Sequence, residues 1–140
     1  MGKSKGSVDR RRKIPLTEEE QKKRDKIVRN VIAAACEAFG VTEQGLMFGQ
    51  TRRLTAPRQA AMLFLRDRQG FRLDDIAEVF TKDRATIILS VDRFVILMAM
   101  SGALRSKYLD LYANFYIYEK QEKADVSSQQ VINRTTEVRE

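Results

Sequence analysis

Arginine, lysine and hydroxyl side chains gather in two short segments near the middle of the chain. Arg52 and Arg53 are adjacent within the segment Thr51–Thr55, and a second group extends from Lys82 to Ser90. Guanidinium and ammonium groups bind phosphate oxygens, whereas threonine and serine hydroxyls reach either phosphates or base edges. These residue types therefore indicate contact with nucleic acid. The alternative for the arginine pair is an ordinary solvated loop.

The composition excludes most other chemistry. The 140 residues include 26 Lys or Arg and 19 Asp or Glu, which gives a net charge of +7, with one cysteine and no histidine. Without histidine there is no imidazole base, no histidine-based triad and no histidine-ligated metal. A single cysteine forms neither an intrachain disulfide nor a cysteine-rich zinc site. We therefore expect no enzyme, no metal and no cofactor, and an acidic partner such as nucleic acid. The alternative is that the charge only maintains solubility.

The positive charge is divided between two regions. Residues 1–16 carry +5 and few large apolar side chains, so they predict a disordered basic arm, which either follows DNA or only aids solubility. Residues 50–118 carry +4, and the stretches between and after these regions carry −1 each. We expect one helical domain over 17–119 and a flexible polar tail over 120–140. No secretory or bilayer-spanning pattern occurs, which favours a cytoplasmic protein without a membrane partner.

Capping motifs and apolar spacing predict helices along the whole domain. Thr17 and Glu20 have the spacing of a capping box, and Gly40 is a natural stop for the helix that follows it. Thr42 is positioned to cap a short second helix. Pro57 fits the first turn of the next helix, where its missing amide hydrogen is not needed. The chain is predicted to be all-α.

The segment from residue 73 to residue 100 has the layout of a helix-turn-helix. A short amphipathic helix over 73–80 is followed by the connection Thr81-Lys82-Asp83 and by a longer helix from Arg84 to about Met100. In this layout the start of the second helix enters the major groove. The positions expected to face outward are Asp83, Thr86, Ile87 and Ser90, with Arg93 further along, and those expected to pack inward are Ile88, Val91 and Val95. The alternative for Thr86, Ile87 and Ser90 is ordinary helix surface.

Three runs of residues and one arginine stand out together: Val41-Thr42-Glu43-Gln44-Gly45-Leu46, Arg52, Ala56-Pro57-Arg58-Gln59-Ala60-Ala61-Met62 and Leu73-Asp74-Asp75-Ile76-Ala77-Glu78-Val79-Phe80. Together they resemble a known family, the C-terminal DNA-binding domain of the bacterial replication initiator DnaA. The resemblance runs without gaps from about Phe39 to Ser90. It implies a single all-α domain similar to Trp repressor, with a basic loop in the minor groove of duplex DNA and a recognition helix in the major groove.

The resemblance assigns roles to individual residues. It implies that Arg52 and Arg53 lie in the basic loop and that Arg58 and Arg66 occupy basic positions of the following helix. The family pattern Arg-Asp-His-Thr-Thr-Val is replaced here by Asp83-Arg84-Ala85-Thr86-Ile87-Ile88, in which only the first threonine is retained. The DNA-binding set expected from sequence is Arg52, Arg53, Arg58, Arg66, Lys82, Asp83, Arg84, Thr86, Ile87 and Ser90. Within it, Ile87 is expected to contact a thymine methyl group and Arg84 a guanine or a phosphate.

The sequence thus predicts a non-enzymatic, sequence-preferring binder of double-stranded DNA that acts in the regulation of replication or transcription, associated with the nucleoid. The alternative is a protein-interaction module that binds a replication protein and no longer reads the initiator box. The apolar run that contains Met98 and Met100 leaves a homodimer open.

Overall fold

The computed structural model describes the backbone of residues 15–139 and the side chains of residues 15–124. The predicted basic arm lies almost wholly outside the described residues. The first helix, α1, spans Glu18–Phe39, and it begins with the predicted capping box. The Glu20 amide donates to the Thr17 hydroxyl over 3.1 Å, and the Thr17 amide donates to the Glu20 carboxylate over 3.0 Å. Gly40 ends the helix in the left-handed conformation, with φ of 69°.

Two short elements lead from α1 to the central helix. Helix α2 spans Glu43–Phe48, and the Thr42 hydroxyl caps it by accepting from the Gly45 amide over 3.0 Å. A 3₁₀ turn over Arg52–Leu54 then leads directly into α3, Thr55–Asp67. Helix α3 is central because most of its side chains are buried. The Phe64 ring of α3 makes edge contacts with three aromatic rings of the last helix, those of Tyr108, Tyr112 and Phe115.

The predicted helix-turn-helix is present. Helix α4 spans Leu73–Phe80 and helix α5 spans Arg84–Met100. Thr81 stands between them with φ of 54°, in a left-handed conformation that is uncommon for a β-branched residue. Asp83 caps α5 through its carboxylate, which accepts from the Thr86 amide over 2.7 Å. The turn is therefore closed at both ends by local interactions, which fix the direction in which α5 leaves it.

The last helix, α6, spans Gly102–Arg139 and extends well beyond the predicted end of the domain at residue 119. It packs along α1, where Asn114 donates to the Ala34 carbonyl over 3.3 Å and Lys26 pairs with Glu122 at 3.3 Å. The flexibility predicted for residues 120–140 stays a prediction, although the backbone is helical as far as Arg139. No strand occurs among residues 15–139, so the predicted all-α class is confirmed.

Candidate nucleic-acid interface

The basic loop is held by one buried leucine and presents two free arginines. Leu54 is buried under the 3₁₀ turn, whereas Arg52 and Arg53 are exposed. Neither guanidinium makes an ion pair or hydrogen bond with any residue whose side chain is described. Both are therefore available for phosphate or minor-groove contact, because no internal carboxylate competes for them.

Arg58 lies on α3, the helix in which the resemblance placed it, and its guanidinium is bonded to the end of α2. Its Nε donates to the Leu46 carbonyl and its NH2 donates to the Gly49 carbonyl, each over 2.7 Å. These carbonyls lie at the end of α2, where the helix leaves them without internal partners. Partial burial lowers the pKa of Arg58 from its ordinary value, but not enough to discharge an arginine at neutral pH. Arg58 thus ties α3 to the segment that leads into the basic loop.

A groove of about 570 Å³ lies between the segment that leads into the basic loop and the helix-turn-helix. One wall comes from the end of α2 and from Gln50, and the other comes from the end of α4 and from Thr81 and Lys82. Arg58 also lines it. The structure therefore brings Gln50, which precedes the basic loop, and the turn Thr81–Lys82, which are about 30 residues apart in sequence, to one groove. Phe48 on its wall is largely exposed, and sequence reasoning missed it because phenylalanine usually packs inside.

Some polar groups at the start of α5 already form hydrogen bonds within the helix. The hydrogen bonds from Thr86 lower the pKa of the Asp83 carboxyl, which therefore stays ionised as a cap at neutral pH. Lys82 is exposed beside it. Thr86 and Ser90 are half-buried on the same side of the helix, and Arg84 is half-buried with an Nε that has no hydrogen-bond partner among the described residues.

The prediction that Ile87 faces outward is wrong. Ile87 is fully buried and forms an inward face with Val91 and Phe94, at a spacing of four and three residues. A thymine contact from Ile87 is therefore excluded in this fold. Val95, which was expected inward, is exposed. The error has a physical cause: α5 carries apolar residues on nearly all sides, so helical periodicity alone did not identify its buried face.

Arg66 lies apart from the other predicted residues. It is exposed in the last turn of α3, eight residues and about 12 Å along the helix from Arg58, and it does not line the groove. Its DNA contact stays a prediction.

The described residues contain neither a group of metal ligands nor a single membrane-spanning helix. They contain no group of three or more acidic, cysteine or histidine side chains placed to hold a metal ion. Within the described part of the chain, no helix on its own has the length and apolar character to span a membrane. Helices α5 and α6 pass that test only as a pair, across a bend of 118°.

Comparison with known proteins agrees with the resemblance. Residues 28–93 match the family model of the bacterial dnaA protein helix-turn-helix. The chain is similar to chromosomal replication initiator protein DnaA 1 of Chlamydia pneumoniae, with 34% identity over 67 residues, 47% of this chain and 14% of that protein. It is also similar to chromosomal replication initiator protein DnaA 2 of Protochlamydia amoebophila (strain UWE25), with 37% identity over 79 residues, 56% of this chain and 17% of that protein. The matched region thus spans less than a fifth of either relative. No solved structure matches the chain significantly.

Proposed function

We propose that the chain binds double-stranded DNA with a sequence preference and regulates replication or transcription, because residues 28–93 match the family model of the bacterial dnaA protein helix-turn-helix. The observation that carries this proposal is the groove between Gln50, which leads into the loop of the two free arginines, and the turn Thr81–Lys82, which leads into α5. A helix and a nearby basic loop can then engage adjacent grooves of one duplex. The chain is proposed to act at the nucleoid.

The start of α5 supplies the proposed major-groove contacts. An α-helix with its side chains is about 10–12 Å across and fits a major groove about 12 Å wide. Thr86 and Ser90 present hydroxyls that can donate to or accept from base edges. Arg84 supplies a guanidinium for guanine or phosphate, and Lys82 at the turn supplies a phosphate contact. Ala85 lies exposed between them and offers only a methyl group, which suits a thymine methyl.

The basic loop supplies the proposed minor-groove and phosphate contacts. Arg52 and Arg53 are exposed, unpaired within the described residues and held by Leu54 and by the Arg58 bridge. Each phosphate neutralised releases condensed counterions, so these two residues contribute affinity that weakens as salt rises. They favour binding of duplex in general, whereas the side chains of α5 favour particular bases.

Selection of bound duplexes from a random pool tests the sequence preference. We expect the wild-type chain to enrich a motif, and Thr86→Ala with Ser90→Ala to relax it at one or two positions. Ser106→Ala serves as the control, because Ser106 is exposed on α6 and lies outside the candidate interface. A pool that stays random after several rounds, or a double variant that selects the same motif, would contradict the proposed reading by α5.

A protein-interaction module is the second candidate, and the exposed Phe48 ring on the groove wall favours it. In this case the groove binds an apolar segment of a replication protein, and it does not lie beside a bound duplex. A pull-down that is unchanged by nuclease and by Arg84→Ala, but lost with Phe48→Ser, would support this candidate over DNA binding.

A further inference from the structure

Helix α5 is apolar on two opposite sides, and only one of them is covered. Ile87, Val91 and Phe94 face the core. On the opposite side Leu89 is 58% exposed, Ile96 59% and Met100 79%. A helix that is hydrophobic all round is normally buried all round. We name the residues Ala85, Leu89, Asp92, Arg93, Ile96 and Met100 the outer stripe; all six are exposed.

The outer stripe is complementary to a second copy of itself when two α5 helices run antiparallel. If a twofold axis passes between Asp92 and Arg93, each residue of the stripe faces a residue of complementary size or charge on the other copy. Leu89 then faces Ile96, the small Ala85 faces the long Met100, and Asp92 faces Arg93. A twofold interface requires this property, because the same patch must serve on both subunits.

We propose that the outer stripe of α5 is a homodimer interface with its twofold axis between Asp92 and Arg93. Neither Asp92 nor Arg93 has an ion pair or hydrogen bond with the described side chains, so both are available for a second chain. The antiparallel arrangement forms two intermolecular ion pairs, whereas a parallel arrangement in register places like charges together. A bilayer is a poorer occupant, because it would bury the Asp92 carboxylate without a partner.

The dimer is expected to be weak and concentration-dependent. The interface consists of one helix of 17 residues, about 25 Å long, with three large apolar side chains from each copy. This is small beside the interfaces of permanent dimers. A dissociation constant in the micromolar range, about 1 to about 100 µM, is therefore expected.

Dimerisation through this stripe excludes DNA from α5. The stripe runs along the same helix as Thr86 and Ser90, and a groove about 12 Å wide admits one helix and not a side-by-side pair. The dimer is thus a DNA-free form, and duplex shifts the population to monomer by binding only that state. This consequence depends on the proposed DNA binding, whereas the dimer itself does not.

Sedimentation velocity of the full chain from about 1 to about 500 µM tests the interface without DNA. The variants are Asp92→Arg, Arg93→Asp and the two together. Each single change turns two attractive contacts into two repulsive ones, so we expect each to weaken the dimer about tenfold or more. The double variant restores opposite charges and should return the wild-type equilibrium. Asp110→Arg makes the same charge change as Asp92→Arg on the exposed surface of α6 and should have no effect.

Several results would overturn the proposal. The chain could stay monomeric at the highest concentration, or the single charge changes could leave the monomer–dimer equilibrium unchanged. The double variant could also fail to restore the wild-type equilibrium. Monomers that bind anionic lipid vesicles through Ile96 and Met100 would also overturn it. Adding a duplex should deplete the wild-type dimer, and a dimer that binds duplex intact would refute the exclusion from DNA. Loss of DNA binding with the dimer unchanged would instead refute only the proposed function.

Discussion

Replacing Arg58 with alanine distinguishes two roles that this residue could have, support of the basic loop and direct contact with DNA. The guanidinium donates two hydrogen bonds of 2.7 Å to the Leu46 and Gly49 carbonyls. A hydrogen bond from a charged donor contributes about 1.5–3 kcal/mol when it is well buried. Since Arg58 is only half-buried, we take the lower end for each bond. The two together predict a loss of about 3 kcal/mol in the free energy of unfolding.

Urea denaturation and DNA binding over a salt series measure the two consequences. Arg58→Ala should lower the urea midpoint and weaken DNA binding, because the loop that carries Arg52 and Arg53 loses its support. The slope of log affinity against log salt should stay the same, since a residue that touches no phosphate releases no counterion. Arg52→Ala should instead reduce the slope by about 0.9 and leave the urea midpoint nearly unchanged.

Arg58→Lys is the matched control. It keeps the charge but cannot bridge two carbonyls with one planar group, so its stability should fall between those of the wild type and the alanine variant. The reasoning is refuted if Arg58→Ala leaves stability within about 0.5 kcal/mol of wild type. It is also refuted if that change reduces the salt slope by about 0.9, because Arg58 would then contact a phosphate and belong to the DNA-binding set expected from sequence.

Three further changes test the packing and the caps that position the interface. Phe64→Ala should lower the free energy of unfolding by about 3–5 kcal/mol, because loss of a fully buried ring leaves a cavity among three aromatic partners. Urea denaturation measures this loss, and a value below about 1 kcal/mol would contradict the packing. Gly49→Ala should lower the thermal midpoint, by an amount that corresponds to a loss of about 1–3 kcal/mol in stability, because a Cβ there would lie 2.6 Å from the Gly45 carbonyl oxygen. Gly102→Ala is the control, because its Cβ would meet only the end of a side chain, at 3.4 Å. The carboxyl of Asp83 has a lowered pKa when folded, so its contribution to stability is present above the ordinary value of 3.8 and is lost as the pH falls through the lowered value. Asp83→Asn keeps a cap that does not titrate, so its thermal midpoint should change less than wild type at acid pH, and an identical pH profile would exclude this role.

Local signals in the sequence were sufficient to predict the helices around the site. The capping box at Thr17 and the cap at Asp83 depend on residues three positions apart, and the structure contains both. The helix-turn-helix bounds were likewise predicted correctly, because the polar turn interrupts two strongly apolar segments. Such features are set by short-range hydrogen bonds, which sequence spacing shows directly.

Features that depend on distant residues were not predictable in the same way. The partners of Arg58 are 9 and 12 residues away, so its supporting role appears only once α2 and α3 have packed. The rotation of α5 that buries Ile87 and exposes Val95 is set by packing against α3 and α4, because apolar residues surround this helix. Helix α6 continues past residue 119, through a polar stretch that contains no proline or glycine, and the flexibility of this stretch stays a prediction.

Equilibrium binding of a labelled duplex over a salt series tests the central claim, which is that the chain binds DNA through the basic loop beside α5. The comparison is between wild type, Arg52→Ala with Arg53→Ala, and Lys120→Ala with Lys123→Ala, which removes the same charge from the exposed surface of α6. The account predicts binding at about 50 mM salt, a slope reduced by about 1.8 in the loop variant, and the wild-type slope in the α6 variant. Absence of binding at low salt, or equal slopes in all three proteins, would contradict it.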